Sequence, residues 1–391
     1  MRSDIMKISR NFSILVTLIF ICLIFCSGCL QGQPANPQNA TRTLTDMSGT
    51  VVTIPVDPQR VAIIDKGLVV QSMIALGVDD RIIATGGVIN PKSANPTKNR
   101  DTLYLRPSLL NRTNFGYASY GGLNFESLLS AKPDLVIWHM LDDTQNNEET
   151  LEFIRKINSA GIPVVIIKSS GVNEAANTVD TQYAAIRLLG DIFGKQNRAN
   201  EIIGYIDETI SLVNERTKNI PDAGKPSVLI VGLNKDGSAY VWGEDYGSAR
   251  FSTSVAHLNN VYKNNQTVIM SKEQIIAFKP HRLVVVDGPV GIASPEDFYK
   301  LEGFESWQVI PAVRDHQIAS VGIFPWWGDY GLEFPTAILI EAKSTYPDQF
   351  KDITVNEWLT KYHTRLYGIN ETQAAQLAEK QYLKWVYDTG F

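Results

Sequence analysis

The chain has 391 residues, of which 44% are hydrophobic and 20% charged; that length suits two domains and a connector, and the composition excludes a disordered chain or a polytopic membrane protein. Lys and Arg number 36 against 41 Asp and Glu, a net −5 with no basic cluster, so nucleic acid is not an expected partner. The three cysteines, Cys22, Cys26 and Cys29, all lie near the N-terminus, which excludes a disulfide scaffold, a thiolate metal site and a cysteine nucleophile from the rest of the chain.

Arg2, Lys7 and Arg10 make a positive start, and Ile14 to Cys26 is apolar apart from Thr17. That run is short for a membrane span and suits a signal sequence. Cys26-Ser27-Gly28-Cys29 resembles a lipobox, with Cys26 where Leu is usual. The resemblance implies cleavage after residue 28 and lipidation of Cys29, anchoring the body outside the cytoplasmic membrane; an uncleaved signal anchor would place it on the same side. Removing Arg2, Lys7, Arg10 and Asp4 leaves 33 basic against 40 acidic residues, a net −7. Residues 29–42 are polar, Pro-containing and nearly uncharged, and read as a flexible tether. Four Asn-X-Thr triplets, at Asn39, Asn111, Asn265 and Asn370, permit an extracytoplasmic assignment without requiring it.

From residue 43 the pattern alternates strands and helices. Thr43–Ile54 reads as a hairpin around Ser48-Gly49, and Arg60–Asp65 as a buried strand. A helix over Val69–Leu76 ends at Gly77, and Arg81–Thr85 is the next strand. Asn90–Tyr120 is polar and reads as a long loop, the kind that often carries function. Helices over Phe125–Ala131 and Glu148–Ala160 alternate with strands over Leu135–Trp138 and Pro163–Ile167. Helical spacing then runs through Glu174–Asn219, predicting one long helix kinked near Gly194. A second alternating unit follows: strands at Ser227–Val231, Ala239–Trp242, Leu283–Val286 and Ile318–Val321, and helices at Ser254–Leu258 and Lys272–Phe278. Helices over Leu332–Thr345, Val355–Leu366 and Glu371–Val386 close the chain. The expected architecture is α/β: two Rossmann-like lobes with mainly parallel sheets (residues 43–172 and 221–391), joined by one long α-helix within 173–220 that permits only small hinge motion.

Asn124-Phe125-Glu126 and Ser271-Lys272-Glu273 each open a short helix that leads through Lys-Pro into a buried strand. An acidic residue in a first helical turn is favoured by the helix dipole alone. These two segments, the opening Thr45–Val61 stretch and the long helix between them resemble, in this order, the iron-siderophore and cobalamin class of substrate-binding proteins of ABC transporters. The resemblance covers roughly residues 43 to 368. It departs at Pro280-His281-Arg282, where the family usually shows Pro-Asp, and at the long insert before Tyr120. It implies that Glu126 and Glu273 meet arginines of a permease served by an ATPase, and that a ligand sits between the lobes.

Strand ends at the expected cleft supply the ligand-binding candidates: Lys66, Tyr120 and His139 in the first lobe, and Trp242, Tyr246, Arg250, Trp326 and Trp327 in the second. Tyr, Trp and Arg suit a large planar or chelated ligand. Each has a plainer reading: a polar loop residue for His139, core packing for Trp327, and solvated surface for Lys66, Arg250 and Lys168. One His near a strand end is too few for naked metal, so a preformed metal chelate is expected, an iron complex first, with haem, cobalamin or molybdate as alternatives. No resident cofactor is expected, and the protein is expected to be a monomer. No G-x-S-x-G, H-E-x-x-H, P-loop or G-x-G-x-x-G motif is present, which argues against an enzyme. A surface receptor that does not transport remains open.

Overall fold

The computed structural model describes residues 40–65, 67–87, 100–117, 122–140, 147–168, 179–286, 294–300, 305–322 and 331–391. The unit Arg42–Phe391 holds both lobes.

It begins with a two-stranded hairpin, β1 (Thr41–Thr45) and β2 (Val51–Pro55). Asp46 makes the turn: one carboxylate oxygen accepts from the Ser48 and Thr50 amides at 2.9 and 3.0 Å, and Gly49 takes the left-handed φ of +88° that the turn demands. The other oxygen accepts from the Ile166 amide at 3.0 Å, and the Met47 amide donates to the Ile166 carbonyl at 3.1 Å. The hairpin thereby caps an edge strand that would otherwise offer free backbone groups.

The first lobe has a wholly parallel sheet. Its strands are β3 (Val61–Asp65), β4 (Ile82–Gly87), β5 (Thr113–Asn114), β8 (Leu135–Met140) and β9 (Val164–Lys168), in the order β5-β4-β3-β8-β9. A small antiparallel pair, β6 (Gly116–Tyr117) and β7 (Gly122–Leu123), follows β5. The helices are α1 (Leu68–Leu76), α2 (Arg100–Leu105), α3 (Phe125–Ser130) and α4 (Glu148–Ser159). The expected long loop is therefore partly ordered secondary structure. Leu105, Leu109 and Phe115 explain this, because each sinks into the core and carries its polar neighbours with it.

The connector differs from the single helix expected. It is two helices, α5 (Val179–Ile192) and α6 (Gln196–Thr217), broken where Gly194 adopts a φ of +64°. They lie antiparallel: the Tyr183 hydroxyl donates to Asp207 at 3.1 Å, and Gly190 faces Ala199. Only α6 runs on into the second lobe, and at 22 residues it is about 33 Å long.

The second lobe has a mixed sheet. Its strands are β10 (Ser227–Leu233), β11 (Ala239–Trp242), β12 (Asn259–Asn260), β13 (Thr267–Met270), β14 (Arg282–Val285) and β15 (Ile318–Ser320). In the order β13-β11-β10-β14-β15 the first two pairings are antiparallel and the last two parallel, with β12 alongside β10. The antiparallel half arises at a tight turn after β10, where the Asn234 amide donates to the Ser238 carbonyl and Gly237 is left-handed. Between strands come α7 (Gly247–Val255), α8 (Lys272–Phe278) and α9 (Pro311–Arg314). The helix expected at Ser254–Leu258 thus starts seven residues earlier, at Gly247. The C-terminal helices are α10 (Phe334–Thr345), α11 (Val355–Tyr367), α12 (Glu371–Lys380) and α13 (Lys384–Thr389). The last two were expected as one; they part at Gln381–Leu383, where Tyr382 has a φ of +60°.

Three apolar clusters hold the unit together. One fills the outer face of the first sheet, around Ala62, Phe115, Leu128 and Trp138. A second covers one face of the second sheet, around Leu229, Phe298 and Trp307. The third is shared: Ile63 and Met73 of the first lobe, Ile202 and Ile206 of α6, and Trp242, Phe334 and Leu359 of the second belong to one continuous core. The lobes are joined by buried apolar surface as well as by chain.

Candidate functional site

The two acidic helix starts are built alike. Asn124 caps α3 by accepting from the Ser127 amide at 2.7 Å, and Glu126, exposed, stands in its first turn. Ser271 caps α8 in a reciprocal box: its hydroxyl accepts from the Gln274 amide, and its own amide donates to the Gln274 side chain at 2.8 Å. Glu273, exposed, occupies the matching position. Its carboxyl is held below the usual range by its own backbone amide and by the Ser271 hydroxyl, which donates at 2.9 Å. Both helices end in a lysine forced into left-handed backbone, Lys132 at φ +51° and Lys279 at φ +45°, followed by a buried proline and a central parallel strand.

The sequence difference between Pro-Asp and Pro-His also has a physical account. Asp134 accepts from the Gln59 and Arg60 amides at 2.8 and 3.0 Å, pinning the start of β3 beside β8. At the equivalent place His281 uses its ring nitrogen Nδ1 against the Ser227 hydroxyl at 2.7 Å, pinning the start of β10 beside β14. Different residues close the same junction.

The carboxyl ends of the parallel strands, where an open α/β sheet binds ligands, carry part of the candidate set. In the first lobe His139 pairs with Ile167 across the β8–β9 ladder, one residue before Met140 meets Lys168, so His139 and Lys168 stand on adjacent strand ends beside Asp65 and Gly87. His139 is buried at 5% exposure, not a loop residue in solvent. In the second lobe Tyr246 immediately precedes α7 and Arg250 lies one turn along it, both half-buried; because they follow the antiparallel β11 they stand toward the edge where β10 begins, not at the carboxyl ends of the parallel strands. Their approach is fixed by the Gly243–Tyr246 turn. The Gly243, Glu244 and Asp245 amides donate to the carbonyls of Gln266, Tyr262 and Asn264, and a Cβ at Gly243 would lie 2.1 Å from the Asn264 oxygen.

Trp242 is corrected. It is 2% exposed and belongs to the shared core, with its ring against Gly232 and its carbonyl accepting from the Asn260 side chain at 2.9 Å. Its place near the end of β11 suggested the cleft, but β11 runs antiparallel to β10, so its end lies at the other edge of the sheet. Lys66, Tyr120, Trp326, Trp327 and Cys29 lie outside the described residues. A groove of about 580 Å³ lies between the hairpin and α4, lined by Val52, Met140, Ile154 and Pro163, and the Asp46 carboxylate on its wall is committed to the hairpin turn. Sequence reasoning passed over a set of buried polar residues, Gln71, Asp101, Glu333 and His363. They are scattered along the chain and no spacing connects them.

Comparison with known proteins gives a consistent picture. The model of the periplasmic binding protein family matches residues 63–322. An uncharacterised ABC transporter substrate-binding lipoprotein of Bacillus subtilis, YvrC, is 22% identical over 346 residues, covering 85% of this chain and 97% of that one. A periplasmic solute binding protein of Veillonella parvula superposes with a TM-score of 0.70 at 22% identity, covering 90% of this chain and 100% of that one. The molybdate periplasmic binding protein MolA of Haemophilus influenzae, solved with molybdate bound, gives a TM-score of 0.65 at 19% identity, covering 84% of this chain and 98% of that one.

Proposed function

The chain belongs to the periplasmic binding protein family, and from that premise we propose that it captures a metal chelate, an iron complex of siderophore type first, and hands it to the permease of an ABC transporter. The observation that carries this reading is the repeated Glu-bearing helix. One acidic residue is presented from each lobe, in the same position of the same capped turn, by helices that feed the central strands. Two rim charges on rigid supports steer docking and fix register more than they add affinity. Glu126 and Glu273 are assigned that role.

The protein itself performs no covalent step. The ligand settles at the strand ends, where His139 and Lys168 of the first lobe offer hydrogen bonds and positive charge. The loaded protein docks, and ATP hydrolysis elsewhere drives release. Cys29 is assigned as the lipid anchor that keeps the body near its permease on the outer face of the membrane. The likeness to a molybdate-binding fold keeps an oxyanion in the test set.

The test is thermal shift of the purified protein against ferric chelates, haem, cobalamins and molybdate. A ligand at 100 times its Kd adds about 2.7 kcal/mol to stability, and a ferric chelate is expected to give the largest rise in Tm. A rise with molybdate alone would move the ligand to the oxyanions. Turnover of a substrate, with no shift from any of the panel, would overturn the reading.

A further inference from the structure

We propose that a buried polar seam centred on Gln71 is a latch between the lobes that fixes their resting register. Gln71 lies on α1 of the first lobe and is 7% exposed. Its side-chain oxygen accepts from the Leu332 amide at 2.8 Å, at the base of the C-terminal helices, and its nitrogen donates to the Asp101 carboxylate at 3.1 Å. The contact is built for this side chain: a Cβ on residue 331 would lie 1.9 Å from the Gln71 oxygen, so only Gly331 leaves it room. The Leu332 carbonyl is held as well, by the Tyr362 hydroxyl. The next residue, Glu333, meets the His363 ring at 3.1 Å, and both are buried.

These groups sit within the shared apolar core. Apolar surfaces slide over one another with little penalty, because the hydrophobic effect has no direction. Buried polar groups do not: a buried donor or acceptor left without its partner bears its full desolvation penalty. A shift of one lobe along the other would strand the Gln71 side-chain oxygen and the Leu332 amide together. The seam therefore gives the lobes one preferred register, as buried polar contacts do in other assemblies. At its rim the Tyr104 hydroxyl donates to Gln376 at 2.6 Å, and the Arg100 guanidinium lies 4.9 Å from the Tyr382 ring centre.

The test needs no ligand, so it stands apart from the transport reading. In the full chain, with Cys22, Cys26 and Cys29 replaced by serine, spin labels are placed through Ser130→Cys on α3 and Ala277→Cys on α8, both exposed. Double electron–electron resonance then reports the distance distribution between lobes. Gln71→Leu is expected to widen it about twofold or add a second maximum. Gly331→Ala, which displaces the Gln71 oxygen without removing it, is expected to do the same and serves if the first variant fails to fold. Tyr104→Phe, confined to the rim, is expected to leave the distribution narrow. An unchanged distribution in folded Gln71→Leu or Gly331→Ala protein, or equal broadening in Tyr104→Phe, would overturn the latch.

Discussion

Arg198 reaches from α6 to the carbonyl of Leu366 at 2.8 Å. The same guanidinium donates to the Arg365 carbonyl at 2.8 Å and, through Nε, to the Ala75 carbonyl at 3.0 Å. Ala75 closes α1 of the first lobe, whereas Arg365 and Leu366 close α11, which follows the second. One cation thus satisfies the carbonyl ends of two helices whose dipoles both point negative charge at it. Arg198→Ala is expected to cost about 2–4 kcal/mol in a urea melt, since three acceptors lose a charged donor. Arg198→Lys is expected to recover only part of this, because a point charge cannot reach both helix ends as a planar fork does.

The break in the connector makes a second prediction. A Cβ at Gly190 would lie 2.4 Å from the Ala199 Cβ, so α5 and α6 approach too closely there for any side chain on both. Gly190→Ala is expected to lower stability by about 1–3 kcal/mol through overpacking. Adding Ala199→Gly returns the space and should recover much of the loss. Equal melting temperatures for the single variant and the parent would show that the helices part without cost.

The alternation of strands and helices was legible because buried parallel strands read as apolar runs and helices as spaced ones. What failed was tertiary. Helical spacing runs on across Gly194, so nothing local separates a kinked helix from two antiparallel ones; the contact of Gly190 with Ala199 decides it. Trp242 looked like a strand-end aromatic because strand direction is invisible to periodicity. The paired Glu126 and Glu273 were legible because capping residues and Lys-Pro recur at equal spacing around them. Gln71 and Asp101 were not, because their partners at Leu332 and Glu333 lie more than two hundred residues away.

Glu126 and Glu273 are exposed, and neither contributes to a core. Reversing both, Glu126→Lys with Glu273→Lys, is expected to leave fold, Tm and ligand affinity unchanged while uptake into cells or vesicles bearing the permease is abolished. Each single reversal should reduce uptake by an intermediate amount and flatten its dependence on salt, because less attraction is left to screen. Full uptake by the double variant would remove the docking role, and a parallel loss of ligand affinity would place the residues at the ligand instead.

Glu341 offers a pH dependence with a definite sign. It lies on α10, is 3% exposed, and burial pushes its carboxyl up to about 8, opposed in part by Ser252. In the unfolded chain it titrates at its ordinary value near 4.3. The folded protein therefore holds a proton that the unfolded chain releases, and the associated stability is fully present below pH about 4. It declines as pH rises and is lost by the folded value. A fall in Tm is expected between pH 6 and about 8, flattening above. Glu341→Gln keeps the shape and the hydrogen-bonding capacity of the neutral acid but cannot ionise, so its Tm should stay level over that range and exceed the parent's near pH 8. Parallel pH profiles for variant and parent would show that Glu341 is already ionised in the folded protein at neutral pH.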